Sequence, residues 1–374
     1  MKIKAAVLWE SGRPQPFAKS RPLSIEEIDL DPPQRGEVLV QIKAAGLCHS
    51  DLMAIDGSRA KPTPMVIGHE AAGIVAEVGP EVESVEVGDH VVPAYVSSCG
   101  RCEMCREGRP ALCQPATRAN HTGTLMDGTT RLHLNGHRIH HHSGVAAFGE
   151  FAVISENALV KIDDAVPFAE AALFGCAVVT GVGSVVNTAK VTPGHTVAIV
   201  GLGGVGFSAL LAALASGASR VVAVDVNRQK LEFARELGAN DIVDAGAGDC
   251  VERIHAMTGG GVHFAIETAG SPQALDTAYR ITRRTGTTVA VGMPGPKVTI
   301  PLSPLNLVAE ERTIMGSYMG SCIPSRDVPR YLDLFRSGKL PIDRLTSHRI
   351  ELDELNDAFD RLAEGDALRQ ILVL

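Results

Sequence analysis

The sequence predicts an α/β protein of two domains, one a doubly wound parallel sheet and the other mostly β. Three observations carry this reading. From His195 onward, short apolar runs alternate with helical runs, the pattern of βα units and a parallel sheet. Gly201-Leu-Gly203-Gly204-Val205-Gly206 lies between the first of these runs and the first helix. The preceding half of the chain is instead rich in Val, Gly and Pro, with short strands between frequent turn signals. At 374 residues the chain has length for two cores, and 45% hydrophobic against 21% charged residues excludes a disordered chain.

In order along the chain, residues 37–44, 72–78 and 151–154 read as strands. Residues 117–148 show no strong period and predict an extended loop. The texture changes near Val178. Strands are then expected at 195–200, 220–225, 241–244, 263–268 and 288–292. The helices between them are expected at 204–216, 228–237 (stopped by Gly238), 250–257 and 272–282. The tail predicts helices at 328–337 and 352–364 and a last strand at 371–373. No repeat or low-complexity stretch is present, and the His-rich run 137–142 is the one compositional oddity.

Composition also excludes partners. A net charge of −8 without a basic tail or patch argues against nucleic-acid binding. No apolar run approaches the about 18 residues of a membrane span, and the N-terminal apolar stretch is too short for a signal peptide. A cytoplasmic setting is the expectation. Thiols there stay reduced, so clustered cysteines point to metal rather than disulfides.

The glycine run makes the sheet a Rossmann candidate. Gly201 permits the tight turn, Gly203 lets a pyrophosphate approach the backbone at a helix N-terminus, and Gly206 allows close helix–strand packing. Asp225 follows Gly206 by 19 residues at the end of the next strand, where a carboxylate binds ribose hydroxyls and repels a 2′-phosphate. NAD is therefore expected over NADP, although Asn227 and Arg228 follow and an Arg there can accept a 2′-phosphate.

Two constellations point to metal. Cys99, Cys102, Cys105 and Cys113 form one tight cluster, the donor set of a closed tetrahedral zinc site. An iron–sulfur cluster is the rival, but its fourth Cys normally lies closer to the third and precedes Pro; here Gln114 separates Cys113 from Pro115. The second constellation is dispersed: Cys48, His69 and Cys176. Together they make the Cys2His set of a catalytic zinc, which leaves one position open.

The motifs G-L-C-H-S-D, G-H-E-A-A-G, the four-Cys lobe, D-G-T-T-R-L, F-G-C-A-V-V-T-G-V-G-S, G-L-G-G-V-G and L-R-Q-I-L-V-L run in order over nearly the whole chain. The chain thereby resembles the zinc-dependent alcohol dehydrogenases of the medium-chain dehydrogenase/reductase superfamily, most of all the long liver type. The resemblance implies a GroES-like catalytic domain at 1–177 with the zinc lobe near 95–115, a Rossmann NAD domain at 178–321, and a return of 322–374 to the catalytic domain. It implies two zinc ions per subunit, NAD, a small alcohol or aldehyde as substrate, and a homodimer or tetramer.

By the same resemblance, Cys48, His69 and Cys176 hold the catalytic zinc and Glu70 lies behind it. Asp51 orients His69, and Ser50 hydrogen-bonds the substrate hydroxyl and begins a proton relay. Thr180 and Val205 position the coenzyme, Arg369 meets its pyrophosphate, and Tyr95 and the His142 region line the substrate channel. Residues 140–142 read either as a surface metal-scavenging run or as histidines shared with relatives. Two departures stand out. Met53 occupies the place of a relay histidine and carries no proton. His49 replaces an arginine near the coenzyme phosphates. The implied activity is oxidation of primary, medium-chain or aromatic alcohols to aldehydes and the reverse. One alternative is a thiol-adduct formaldehyde dehydrogenase, which Arg59 and the offset Arg118 disfavour. The other is a nucleotide-binding or redox-sensing protein without catalysis. Cys250 and Cys322 are expected to be buried or idle thiols.

Overall fold

A computed structural model describes residues 1–374. The chain forms two compact units, Met1–Ala177 with Ile323–Leu332 and Asp343–Leu374, and Val178–Cys322 with Asp333–Ile342.

The first unit is mostly β. Strands Lys2–Leu8, Leu23–Leu30, Leu132–Leu134, His137–His141 and Met65–Val66 close a small barrel. A second sheet runs in the order Leu159–Ile162, His90–Pro93, Glu70–Val78, Glu37–Gly46, Arg369–Val373, Thr346–Ile350, and Phe151–Ser155 also pairs with Glu37–Gly46. The barrel closes over Ile3, Val7, Ile28, Leu30 and Ile139. The larger core gathers Val38, Val40, Ile42, Phe148 and Phe359.

The second unit holds a six-stranded sheet, every pair parallel, in the order Asp241–Asp244, Arg220–Asp225, Thr196–Val200, Val262–Glu267, Thr282–Ala290, Thr313–Gly316. Strands such as TVAIV and RVVAVD are buried along almost their whole length because helices cover both faces of such a sheet. In chain order the strands read 3-2-1-4-5-6. The direction of winding reverses beside Thr196–Val200, the place where open α/β sheets bind ligands. The helices carry local start signals. Asn227 accepts from the amides of Gln229 and Lys230 (2.9 and 3.2 Å), and Ser271 accepts from Ala274 (3.1 Å).

Two expectations are corrected, and further strands appear that the sequence did not announce. Residues 117–148 are not an extended loop: they contain most of the helix Gln114–Thr122, the strands Leu132–Leu134 and His137–His141, and a turn at His142–Gly144. These strands are short and polar, and they pair with Leu23–Leu30 and Met65–Val66, so no local period announces them. The barrel strands Lys2–Leu8 and Leu23–Leu30 and the edge strand Thr313–Gly316 were likewise not foreseen. The return of 322–374 is also not continuous, because Asp333–Ile342 belongs to the second unit. No Gly or Pro marks the change at 332/333, so nothing local signals it.

Candidate metal and coenzyme sites

Strand register builds the dispersed site. Glu37–Gly46 pairs antiparallel with Glu70–Val78, with Gly46 opposite Glu70. The end of one strand therefore lies beside the start of the next. Cys48 follows the first strand and caps the helix His49–Ile55, while His69 immediately precedes the second. Cys176 enters between the turn Leu173–Gly175 and the helix Ala177–Gly183. A Cβ on Gly175 would meet the Pro93 carbonyl oxygen at 2.7 Å, so a glycine is needed to bring this turn onto the sheet. The ligand atoms of Cys48, His69, Glu70 and Cys176 all lie within 4.8 Å of one another, and all four residues are buried.

The surrounding contacts orient this set. Asp51 is fully buried and accepts from the amides of Cys48 and Gly68 (both 3.1 Å) and from His69 Nδ1 at 3.0 Å. Burial pushes its carboxyl up, but the neighbouring His69 and His142 outweigh this and hold it well below the usual carboxylate range. Asp51 thus stays ionised and fixes the Nδ1–H tautomer of His69, whose ring also hydrogen-bonds Cys48. The hydrogen bond from Cys176 lowers the Cys48 thiol pKa, while the same bond and burial raise that of Cys176.

Glu70 Oε1 is held by Arg369, and Glu70 Oε2 has no partner. Burial pushes the Glu70 carboxyl up to about 7 against the pull of Arg369. This pair crosses Gly46: Ile371 lies opposite Gly46 on the other side, and any Cβ at 46 would run into the Glu70 carboxylate. Two thiols and an imidazole converge beside a buried carboxylate tied to Arg369, and this donor set fits a divalent zinc-type cation with one position left open.

The four-cysteine lobe forms locally. Cys102 precedes the short helix Glu103–Arg106, and Cys113 precedes Gln114–Thr122. Backbone amides donate to sulfur, Cys102 N to Cys99 Sγ and Cys99 N to Cys113 Sγ, both at 3.3 Å. Sγ–Sγ separations of 3.5 and 3.9 Å join Cys102 to Cys105 and Cys113. Four thiolates about 2.3 Å from one zinc would stand about 3.8 Å apart, so the spacing fits. A backbone amide brings the Cys102 thiol to about 6, whereas burial pushes Cys105 up to about 12. Four adjacent sulfurs do not all ionise without a cation between them.

In the second unit the glycine turn has the expected division of labour. Gly201 has φ +95°, a conformation side chains disfavour. A Cβ on Gly206 would collide with the Gly201 carbonyl oxygen, whereas one on Gly203 would meet nothing within 4 Å. The open space lies at Gly203, the N-cap of Gly204–Ala215, where free amides favour an anion. A dinucleotide fits there. Asp225 accepts from the amides of Leu202 (2.6 Å) and Asn227 (2.8 Å), bracing the turn, and each oxygen retains lone-pair capacity for a ribose hydroxyl. Thr180 is buried with its hydroxyl unpartnered, beside Gly181, which packs on the Val205 carbonyl. Arg228 is exposed at the start of its helix.

The remaining expected residues separate. Ser50 lies with Oγ 3.8 Å from Cys48 Sγ, and His49 is exposed at the helix start. Tyr95 meets the His69 ring edge-on at 5.3 Å. His142 is buried, with Nδ1 2.9 Å from Asp51 but without the alignment of a hydrogen bond, and its ring meets His69 at 5.1 Å. Residues 140–142 are not a surface run, because His141 is buried too and accepts from the Arg131 amide. Arg369, expected on a pyrophosphate, is buried on Glu70. Cys250 and Cys322 are buried, as expected. The sequence reading missed Asn120, which ties Tyr95 in place, and no local motif marks it.

Residues 34–164 match the family model described as alcohol dehydrogenase GroES-like domain, and 204–337 match zinc-binding dehydrogenase. An alcohol dehydrogenase zinc-binding domain protein from Burkholderia ambifaria is 34% identical, with TM-score 0.94, covering 100% of this chain and 99% of its own. Benzyl alcohol dehydrogenase from Acinetobacter calcoaceticus is also 34% identical, with TM-score 0.93 and the same coverage. The structure of a zinc-binding dehydrogenase from Sinorhizobium meliloti 1021 bound to NADP is 26% identical, with TM-score 0.83, and the match covers all of both chains.

Proposed function

Because the chain belongs to the zinc-dependent alcohol dehydrogenases of the medium-chain dehydrogenase/reductase superfamily, we propose that it interconverts primary, medium-chain or aromatic, alcohols and their aldehydes, with NAD and two zinc ions per chain. The observation that carries the reading is the convergence of Cys48, His69 and Cys176, with Glu70 Oε1 tied back to Arg369. Three protein donors leave a position for substrate. The likeness to a benzyl alcohol dehydrogenase and the ring of Tyr95 beside His69 support an aromatic alcohol.

Bound zinc supplies a Lewis acid that lowers an alcohol oxygen's proton affinity, and the coenzyme supplies the carbon that accepts hydride. The chain does the rest. Asp51 keeps His69 in one tautomer and orientation. Ser50 Oγ would accept the hydrogen bond of the alcohol hydroxyl and release its own proton towards water as it takes up the alcohol's, because Met53 offers no base. Gly203 and the following amides receive the pyrophosphate, and Asp225 receives the ribose. The Asp225 carboxylate supports NAD over NADP through repulsion of a 2′-phosphate.

No single helix is long and apolar enough to cross a membrane. The grouping of six of the eight cysteines as metal donors rather than disulfides supports a reducing cytoplasmic location. A homodimer through the free edge of Thr313–Gly316 is supported by exposed Leu305 and Val308 in the same unit, and light scattering tests it.

Nicotinamide absorbance, followed against alcohols and aldehydes with NAD or NADP and with or without thiols, tests the whole reading alongside a metal count. Benzyl alcohol turnover with NAD is the expected result. Formaldehyde turnover only with an added thiol would replace it with a thiol-adduct dehydrogenase. Coenzyme binding without any turnover would leave a non-catalytic protein.

A further inference from the structure

Lys61 lies in the loop between the helix His49–Ile55 and the strand Met65–Val66 and is half-buried. Its ammonium donates to the Asn120 carbonyl oxygen at 3.3 Å, and no carboxylate pairs with it. Asn120 donates from Nδ2 to the Tyr95 carbonyl, also at 3.3 Å, and its Oδ1 lies against Gly144, two residues beyond His142. Tyr95 and His142 are the two rings that meet His69 edge-on. Asn120 therefore links the lysine to the main chain of Tyr95 and borders the turn that carries His142, so Lys61 lies close to the two residues whose rings flank the histidine of the dispersed site.

A cation drawn partly out of water costs free energy unless an anion compensates it. Nothing in the fold does so here. Burial, then the like charge of Arg59, lowers the ammonium's proton affinity, and no acidic group opposes them. The charge of Lys61 also reaches His142. Asp51, the carboxylate of this neighbourhood, already faces His69 and His142.

We propose that Lys61 determines specificity and that the substrate is an alcohol or aldehyde bearing a carboxylate. The proposal rests on the dehydrogenase reading above. One lysine supplies one compensating charge, which matches a monoanionic carboxylate rather than a phosphate dianion.

The test compares para-hydroxymethylbenzoate with its methyl ester on the zinc-loaded protein with NAD. The acid should be favoured by about tenfold in kcat/KM, mainly through KM, since the contact serves ground and transition states alike. Lys61→Met should bring the ratio close to one, and Lys61→Arg should retain most of it. Calorimetric titration with the acid should show a parallel loss of about tenfold in Kd for Lys61→Met. Ester turned over as well as acid by the parent protein overturns the inference and leaves the dehydrogenase reading intact, whether or not the variants fold. An acid preference that persists in Lys61→Met also overturns it. Failure to turn over either compound, or any other alcohol, overturns both.

Discussion

The four-cysteine lobe and the Cys48, His69, Cys176 set offer similar donors, yet they are assembled by opposite means. The lobe takes all its sulfurs from residues 99–113, held by short turns and amide-to-sulfur hydrogen bonds. Three of its four cysteines are only half-buried. The dispersed set spans residues 48 to 176, is buried throughout, and depends on the register that places Gly46 opposite Glu70. Local geometry makes a closed cluster of four equal donors. Long-range pairing makes an unequal one, in which Asp51 orients the imidazole and Arg369 holds back the carboxylate. The first arrangement suits a staple and the second suits chemistry.

The comparison breaks most sharply at His69. His69→Ala should reduce benzyl alcohol turnover by about a thousandfold or more, several kcal/mol of lost charge stabilisation, while the lobe keeps its zinc. Steady-state rates and zinc analysis of the same preparation check both halves; equal loss of metal from both sites would show that they are not independent. Cys102→Ser strikes the other region. We expect loss of the lobe metal and about 3 kcal/mol of stability, a Tm lower by about 6–12 °C, read by calorimetry.

Asp51→Asn sharpens the contrast. It should weaken zinc at the dispersed site by about 10–100-fold in chelator competition and leave the lobe's release rate as it was. The smallest effect lies outside both regions. Asp225→Gly should raise the NADP-to-NAD ratio of kcat/KM by about tenfold without changing zinc content. An unchanged ratio would remove Asp225 as the selector.

Legibility followed sequence separation. The lobe and the glycine turn were readable because each acts within a few residues of its motif, whereas Asp51, 18 positions from His69, was readable only through the family resemblance. The site's other partners were not. Arg369 reaches Glu70 across 299 positions, Lys61 meets Asn120 across 59, and His142 meets Asp51 only after the barrel forms. The stretch 117–148 failed for the same reason, since its short polar strands exist only against distant ones.

By itself the sequence determined the α/β architecture, the four-cysteine donors and the turn that awaits a pyrophosphate. These rest on local rules of periodicity, turn chemistry and ligand spacing. Only the tertiary structure decided what stands around the dispersed donors: a shared Asp51, a glutamate bound to arginine, and a lysine without a counter-ion. Such neighbours are set by strand register and by which face each side chain takes. One residue of slip would exchange the faces, and no local pattern records which alignment is chosen.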